Sequence, residues 1–163
     1  MKAVTEDEIR DSFVNCSQGE AKRAPMPREL AETPWDDLDF LGWRDLGAPD
    51  RAYLVTERHD TLVGITLRTA SSKRSNFQYS LCSLCLTAHP GSGVALMTAR
   101  KAGAAGRQGN SVGIYICGNL ACSLYLRGKK QSPGDRVEET LSLEEQVERM
   151  TSKLSDFLTK LAI

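Results

Sequence analysis

The chain has 163 residues, with 21 basic and 21 acidic side chains, and 40% of its residues are hydrophobic. This size is typical of one globular domain, with or without a short appendage. No apolar run reaches the length of a membrane-spanning helix, and no charged start precedes an apolar run, so we expect a cytoplasmic protein without a secretory signal.

The first predicted element is a short helix from Thr5 to Cys16. Thr5 and Glu8 have the spacing of a capping box, and Ile9, Phe13 and Cys16 form one apolar stripe. Cys16 is also the odd cysteine of five, and we interpret it as a small buried hydrophobic residue rather than a reactive thiol.

The next stretch, from Ser17 to Pro34, contains three prolines and little periodicity, and it is predicted to be an extended connector. We therefore divide the chain into an N-terminal helix with its connector, residues 1–35, and a following domain, residues 36–163.

Short strand-like segments occupy the middle of the chain, and the second and third are joined by a tight turn as a hairpin. The predicted strands are Leu38–Arg44, Ala52–Glu57, Thr61–Arg68, Phe77–Leu81, Gly93–Ala99 and Ser111–Cys117. A short helix is predicted from Cys122 to Arg127.

Four cysteines occur in two pairs, Cys82-Ser-Leu-Cys85 and Cys117-Gly-Asn-Leu-Ala-Cys122, separated by 31 residues. A C-x2-C turn places two thiolates on one side of a tight knuckle, and a second pair completes the tetrahedron that zinc prefers. Four thiolates leave no coordination position open for water, so the predicted zinc ion is structural. A redox C-x-x-C motif and a pair of disulfides are the alternatives.

The C-terminal segment from Ser142 to Ala162 is predicted to be an amphipathic helix. Ser142 and Glu145 form a capping box, and apolar residues recur at spacings of three and four. They are Leu143, Val147, Met150, Leu154, Phe157, Leu158 and Leu161. We expect this stripe to cover the domain's own sheet, with a dimer seam as the alternative, and we predict a monomer.

Charge is unevenly distributed along the chain. Residues 61–134 contain nine basic residues and no acidic one, so the remaining residues include 12 basic and 21 acidic ones. A zinc ion with four thiolates carries two net negative charges and offsets only part of this excess. The rest is expected to meet an acidic protein surface or a phosphate backbone, unless it is merely solvated.

Enzymatic chemistry has little support in the sequence. His59 and His89 have no acid or nucleophile in a recognisable arrangement, and His89 is only an alternative to one of the cysteines as a ligand. No hydrolase, metalloprotease or dinucleotide-binding motif is present, and the glycine-rich segment at 100–110 lacks the ending of a phosphate-binding loop. We therefore predict that the protein is not an enzyme.

Several segments, in this order along the chain, resemble one known family. They are Phe40-Leu41-Gly42-Trp43-Arg44-Asp45, Val63-Gly64, the first cysteine pair, Val94-Ala95-Leu96-Met97-Thr98-Ala99-Arg100, and Gly113-Ile114-Tyr115-Ile116-Cys117 followed by Cys122. Together they look like the treble-clef zinc domain of elongation factor G-binding proteins, the FusB-type group associated with fusidic acid resistance. The similarity extends from about Leu38 to Leu126.

The resemblance implies a fold, a metal and a partner. The fold is α+β: a treble-clef zinc-binding domain with an antiparallel sheet, a short N-terminal helix and a C-terminal amphipathic helix. The family's zinc domain binds elongation factor G and helps to release it from a ribosome stalled by the drug. Family members from resistant bacteria carry an N-terminal helical bundle, in whose place this chain has the first helix and its connector, so the resemblance supports binding more directly than drug protection. The alternative is a zinc protein that binds the ribosome or other RNA through its basic face.

The partner-binding face is expected at the zinc end of the molecule. The candidate residues are Arg100, Lys101, Arg107, Tyr115, Lys129 and Lys130. The first three flank a glycine-rich segment predicted to be a mobile or tightly turned loop, and the two lysines follow the last cysteine. A treble clef would bring both groups to the zinc end, although a strand aromatic such as Tyr115 is often a core residue.

Overall fold

The structure is a computed structural model, and it describes residues 1–69, 79–134 and 139–163. Its strands are Phe40–Arg44 (β1), Arg51–Arg58 (β2), Thr61–Thr69 (β3), Tyr79–Leu81 (β4), Ala88–Pro90 (β5), Val94–Arg100 (β6) and Ser111–Cys117 (β7). Its α-helices are Glu6–Asp11 (α1), Gln18–Arg23 (α2), Gly103–Arg107 (α3), Cys122–Leu126 (α4) and Leu143–Lys160 (α5). Short 3-10 helices occur at Leu30–Glu32, Trp35–Asp37 and Gly91–Gly93.

Five strands form one antiparallel sheet in the order β1-β2-β3-β6-β7, and β4 pairs with β5 in a separate two-stranded ribbon. The predicted α+β fold with an antiparallel sheet is therefore confirmed. The β2–β3 hairpin turns at His59 and Asp60, which have φ angles of 47° and 59°. Two successive positive φ angles are typical of the tight turn whose twist matches that of the flanking strands.

The sequence missed β5, which has only three residues and includes a proline. Of the predicted strand Phe77–Leu81, the first two residues lie outside the described residues, and the remaining three form β4. The structure describes no helix long and apolar enough to cross a membrane.

The large sheet buries a hydrophobic cluster on each face, because successive side chains of a strand point to opposite faces of the sheet. On one face, Phe40, Leu54 and Ile65 pack with the four paired cysteines and α5. On the other face, Leu41, Trp43 and other strand residues pack against the N-terminal segment. The metal-ligand candidates thus belong to the core on one face only.

The N-terminal segment differs from its predicted form. Helix α1 ends at Asp11, and Phe13 forms a β-bridge with Gly64, so Cys16 is not on the helix as predicted. Packing explains the early end, because the Phe13 ring contacts Trp43 edge-on with ring centroids 6.5 Å apart. The chain must leave the helix to bring this ring onto the sheet.

The prediction of an extended connector after residue 17 is also wrong. Ser17 and Glu20 form a complete capping box that starts α2, and this spacing was visible in the sequence. The segment is held to the sheet by the Trp43 indole, which donates a hydrogen bond of 2.7 Å to the Pro25 carbonyl. The proposed boundary at residue 35 remains a prediction.

Helix α5 follows its predicted form closely. Ser142 caps it with Glu145, and Met150, Leu154, Phe157, Leu158 and Leu161 are buried in the main cluster. Leu143 lies at the start of the stripe and is exposed. The prediction that the stripe covers the domain's own sheet is therefore confirmed.

The glycine-rich segment between β6 and β7 is not a simple loop, because it contains α3. A Cβ atom on Gly106 would lie 1.7 Å from the Lys101 carbonyl oxygen, so the tight return of the chain requires glycine here. The segment is thus tightly turned, which was one of the two expected forms, and it contains a short helix that the sequence analysis did not predict.

Candidate metal centre

Three different elements position the four paired cysteines. Cys82 and Cys85 lie in the knuckle between β4 and β5, Cys117 is the last residue of β7, and Cys122 is the first residue of α4. This order of knuckle, hairpin and helix carrying the last ligand is the treble clef predicted from the sequence.

The knuckle owes its shape to backbone hydrogen bonds. The Leu86 N–H donates to the Cys82 carbonyl at 3.0 Å, and the Cys82 N–H donates to the Thr87 carbonyl at 3.0 Å. Closing this turn puts Leu86 at φ 55°, a left-handed conformation that costs a non-glycine residue roughly 1 kcal/mol. This strained conformation occurs in the turn that brings the Cys82 and Cys85 thiols to the same side.

The four sulfur atoms converge on one point. All four side chains are buried, and their Sγ atoms lie within 4.8 Å of one another. The Cys82 and Cys122 sulfurs are 3.7 Å apart, and those of Cys85 and Cys117 are 3.5 Å apart. A tetrahedron with Zn–S bonds of about 2.3 Å has edges of about 3.8 Å, so this donor set fits a tetrahedral ion.

The four clustered thiols differ in how tightly they hold their protons, because their sulfurs form hydrogen bonds with one another. The pKa of Cys82 is held well below its ordinary value because Cys117, Cys122 and Cys85 form hydrogen bonds to its sulfur. The pKa of Cys122 is raised, because its sulfur forms hydrogen bonds with Cys117 and then Cys82 and lies buried among them. A cation that binds all four sulfurs as thiolates would therefore have to displace the protons held by the thiols of raised pKa.

All five cysteines are free thiols in this structure. Cys16 lies far from the cluster in the fold and is half-buried, which raises its pKa to about 11 with a smaller effect from Glu20. Its thiol is therefore neutral at ordinary pH, as expected for a residue that is not a reactive nucleophile.

His89 contacts the site without belonging to its four sulfur ligands. Its Nε2 atom lies 3.3 Å from Cys117 Sγ, and its Nδ1 atom lies 3.0 Å from the Ser132 hydroxyl. The ring also packs edge-on against Tyr125 with centroids 4.8 Å apart. His89 thus supports a ligand instead of replacing one, and its place four residues after Cys85 was the only sequence signal for this role.

We expect His89→Phe to loosen metal binding while leaving the ring packing on Tyr125 in place. Phenylalanine cannot form the hydrogen bond between His89 Nε2 and the Cys117 sulfur, and loss of such a supporting partner typically reduces metal affinity about 10- to 100-fold. Competition with a chromogenic chelator measures this affinity, and His59→Asn, in the exposed β2–β3 turn, is the control. Equal affinities for His89→Phe and the unaltered protein would contradict the role assigned to His89.

The candidate partner-binding residues do not share one end of the molecule. The β6–β7 register pairs Val94 with Cys117 and Arg100 with Ser111, which places Arg100 about 20 Å from Cys117 along the hairpin. Lys101 and Arg107 lie at the same hairpin tip as Arg100. The expectation that these three cations lie at the zinc end is therefore wrong, because the strands run away from the cysteines.

The other three candidates lie nearer the cysteines. Tyr115 is 41% exposed and stands two residues before Cys117, and its carbonyl accepts a hydrogen bond from the Ser83 N–H in the knuckle. Lys129 and Lys130 follow α4 and are exposed. The Lys129 ammonium lies 3.8 Å from Asp37, so part of its charge is offset.

An ion pair that the sequence did not reveal fixes α4 in place. The Arg127 guanidinium donates to both carboxylate oxygens of Asp39, at 2.6 and 2.9 Å. The two side chains are only 18% and 11% exposed. In the sequence, Asp39 follows closely on Asp36 and Asp37, and no local spacing points to a partner 88 residues away.

Comparisons with known proteins agree with this geometry. The family described as the FBP C-terminal treble-clef zinc-finger matches residues 8–161. A solved structure titled "Structure of the fusidic acid resistance protein FusC" superposes with a TM-score of 0.50 at 15% sequence identity. The match covers 85% of this chain and 52% of that one, so the chain spans about half the length of FusC. No curated protein sequence matches.

At 15% identity, the FusC likeness supports the fold alone. The family match is broader, because it includes the knuckle, the β6–β7 hairpin, α4 and nearly all of α5. The chain therefore belongs to the FBP C-terminal treble-clef zinc-finger family.

Proposed function

We propose that the four clustered cysteines hold one structural zinc ion. The support is the donor set: four sulfurs at tetrahedral spacing, all buried, in a chain of the zinc-finger family. Zinc would join the knuckle, the β6–β7 hairpin and α4 at a single point through the cysteine side chains. With four protein ligands the ion has no open position for a substrate, so the proposed role is structural.

We also propose that the protein acts by binding, not by catalysis, and that its partner is elongation factor G in the cytoplasm. The observation that carries this proposal is the family match over residues 8–161, together with a fold like that of a fusidic acid resistance protein. Binding that prefers one conformation of the factor would shift its equilibrium toward release from the ribosome.

The proposed contact surface includes both groups of candidate residues. The tip group is Arg100, Lys101 and Arg107, and the metal-end group is Tyr115, Lys129 and Lys130. A separation of about 20 Å is compatible with one interface, because a standard protein interface buries roughly 800 Å² on each partner. Exposed cations in such a surface mainly accelerate encounter with an acidic partner.

We expect charge reversal of the tip group to slow association with purified elongation factor G by roughly tenfold at low salt, with little effect on folding. Stopped-flow association rates over a salt series measure this effect. The matched control reverses Lys2, Lys22 and Arg28, three exposed cations of the N-terminal segment. If the control variant slows association as much as the tip variant does, the tip group does not belong to the interface.

The decisive test of the partner is a pull-down of purified elongation factor G, repeated after nuclease treatment. Capture that survives nuclease supports the proposal. Capture of RNA alone, or capture lost with nuclease, would instead support the RNA-binding alternative suggested by the basic stretch between residues 61 and 134.

We further propose that the protein is a monomer. The apolar stripe of α5 already packs on the protein's own core, so it leaves only its first turn, with Leu143, exposed. Light scattering is expected to give a mass near 17.9 kDa. A mass near twice that value would contradict this proposal.

A further inference from the structure

A cavity of about 510 Å³ lies at the end of the β6–β7 hairpin away from the cysteines. Its lining includes Arg100 and Ser111, which form the hairpin pair farthest from Cys117. Four arginines from four separate elements line it: Arg23 from α2, Arg51 from β2, Arg68 from β3 and Arg100 from β6. The fold therefore gathers cations that lie far apart in the sequence.

The acidic side chains of this cavity are already engaged. The Glu20 carboxylate accepts two hydrogen bonds of 2.9 Å from Ser17, where it caps α2. The Asp45 carboxylate accepts hydrogen bonds from the backbone of Gly47 and Ala48 at 2.8 and 3.1 Å. Both carboxylates serve local turns but keep their negative charge: the pKa of Glu20 is lowered by its Ser17 hydrogen bonds and, to a smaller extent, by the charges of Arg100 and Arg23.

Three of the four arginines have no ion-pair partner. Arg68 pairs with Asp50 at 2.5 Å, whereas Arg23, Arg51 and Arg100 have no carboxylate within 4.0 Å among the residues that the structure describes. The four arginines outnumber the two carboxylates of the lining, so the lining carries a net charge of +2, which a bound anion would offset.

Neutral groups in the lining also favour an anion. Burial raises the pKa of Tyr53, so its phenol keeps its proton as a donor, and no partner for this hydroxyl is found in the described part of the chain. The Asn15 amide donates to the carbonyls of Thr66 and Arg100 at 3.0 and 3.2 Å. Asn15 thereby holds the backbone of Arg100 beside β3 and fixes one wall of the cavity.

We propose that this cavity binds a phosphate group, carried either by an RNA backbone or by a free phosphate compound. Guanidinium groups present paired N–H donors that match phosphate oxygens in number and geometry. The volume of about 510 Å³ admits two linked phosphates. The cavity shares Arg100 with the proposed elongation factor G surface, whereas Arg23, Arg51 and Arg68 lie outside that surface. Variants at Arg51 and Arg23 therefore test phosphate binding without altering the proposed contact residues.

Calorimetric titration of the full chain with pyrophosphate at low salt tests the proposal. We expect saturable binding at one site, weakened about tenfold by Arg51→Gln and further by the double variant with Arg23→Gln. Arg28→Gln is the matched control, because Arg28 is an exposed arginine of the same N-terminal segment that does not line the cavity. The melting temperature of each variant without ligand shows whether it is folded.

Absence of saturable pyrophosphate binding, or equal affinities in the folded double variant and the control, would overturn the proposal. Competition with a short single-stranded RNA identifies the source of the phosphate. If the RNA displaces pyrophosphate, and if Arg51→Gln weakens the binding of the RNA, the natural ligand is an RNA backbone. An RNA that leaves pyrophosphate bound points to a free phosphate compound. A polyglutamate peptide that binds more tightly than either phosphate probe would overturn the assignment in favour of an acidic protein segment.

Discussion

Cys117→Ser is expected to abolish metal binding and to unfold the knuckle, the β6–β7 hairpin and α4 together. Cys117 ends β7 and its sulfur lies 3.5 Å from that of Cys85, so its loss leaves a tetrahedral ion with three ligands. Metal binding in small zinc domains contributes on the order of 10 kcal/mol to folding at neutral pH, which is comparable to the whole stability of a typical domain, about 5–15 kcal/mol. Elemental analysis and thermal unfolding measure the two effects.

Cys16→Ser is the matched control, because Cys16 is a half-buried cysteine that does not belong to the cluster. It should retain one equivalent of metal and unfold near the temperature of the unaltered protein. A chelator titration gives the same information without a mutation: unfolding on metal removal and refolding on addition of zinc are expected. A Cys117→Ser protein that stays folded with a full equivalent of metal would show that the site is assigned wrongly.

Asp39→Ala is expected to lower the free energy of unfolding by roughly 2 kcal/mol, because it leaves a partly buried guanidinium without its partner. Arg127 is 18% exposed and donates to Asp39 through two nitrogens, so little water can replace the carboxylate. The pair also joins the start of β1 to the end of α4, the helix that begins with Cys122. Urea unfolding measures the change.

The chain offers a matched exposed pair as the control for this prediction. Arg68 and Asp50 have the same chemistry at 2.5 Å, but their side chains are 55% and 56% exposed. Asp50→Ala should therefore leave the urea midpoint nearly unchanged, since water and salt screen exposed pairs. The double variant Asp39→Leu with Arg127→Met removes both charges of the pair and should recover much of the stability that Asp39→Ala loses. Equal urea midpoints for Asp39→Ala and Asp50→Ala would refute the argument.

Local spacing in the sequence was enough to predict the elements that depend on neighbouring residues. The capping box of Ser142 with Glu145 and the apolar stripe that follows it predicted α5 nearly residue for residue. The same kind of signal at Ser17 and Glu20 was present for α2, but the prolines that follow outweighed it in the sequence interpretation. The two cysteine pairs predicted a four-sulfur metal site because tetrahedral coordination restricts ligand spacing so tightly, and the family resemblance implied the treble clef around it.

Tertiary structure alone decided the features that depend on residues far apart in the chain. The bond between Asp39 and Arg127, the support of Cys117 by His89, and the gathering of four arginines around one cavity have no signature in local spacing. The β6–β7 register likewise placed Arg100 away from the cysteines, since six residues of extended strand cover about 20 Å. Periodicity and capping are set by bonds between near neighbours, whereas these contacts exist only after the sheet has fixed which distant strands lie side by side.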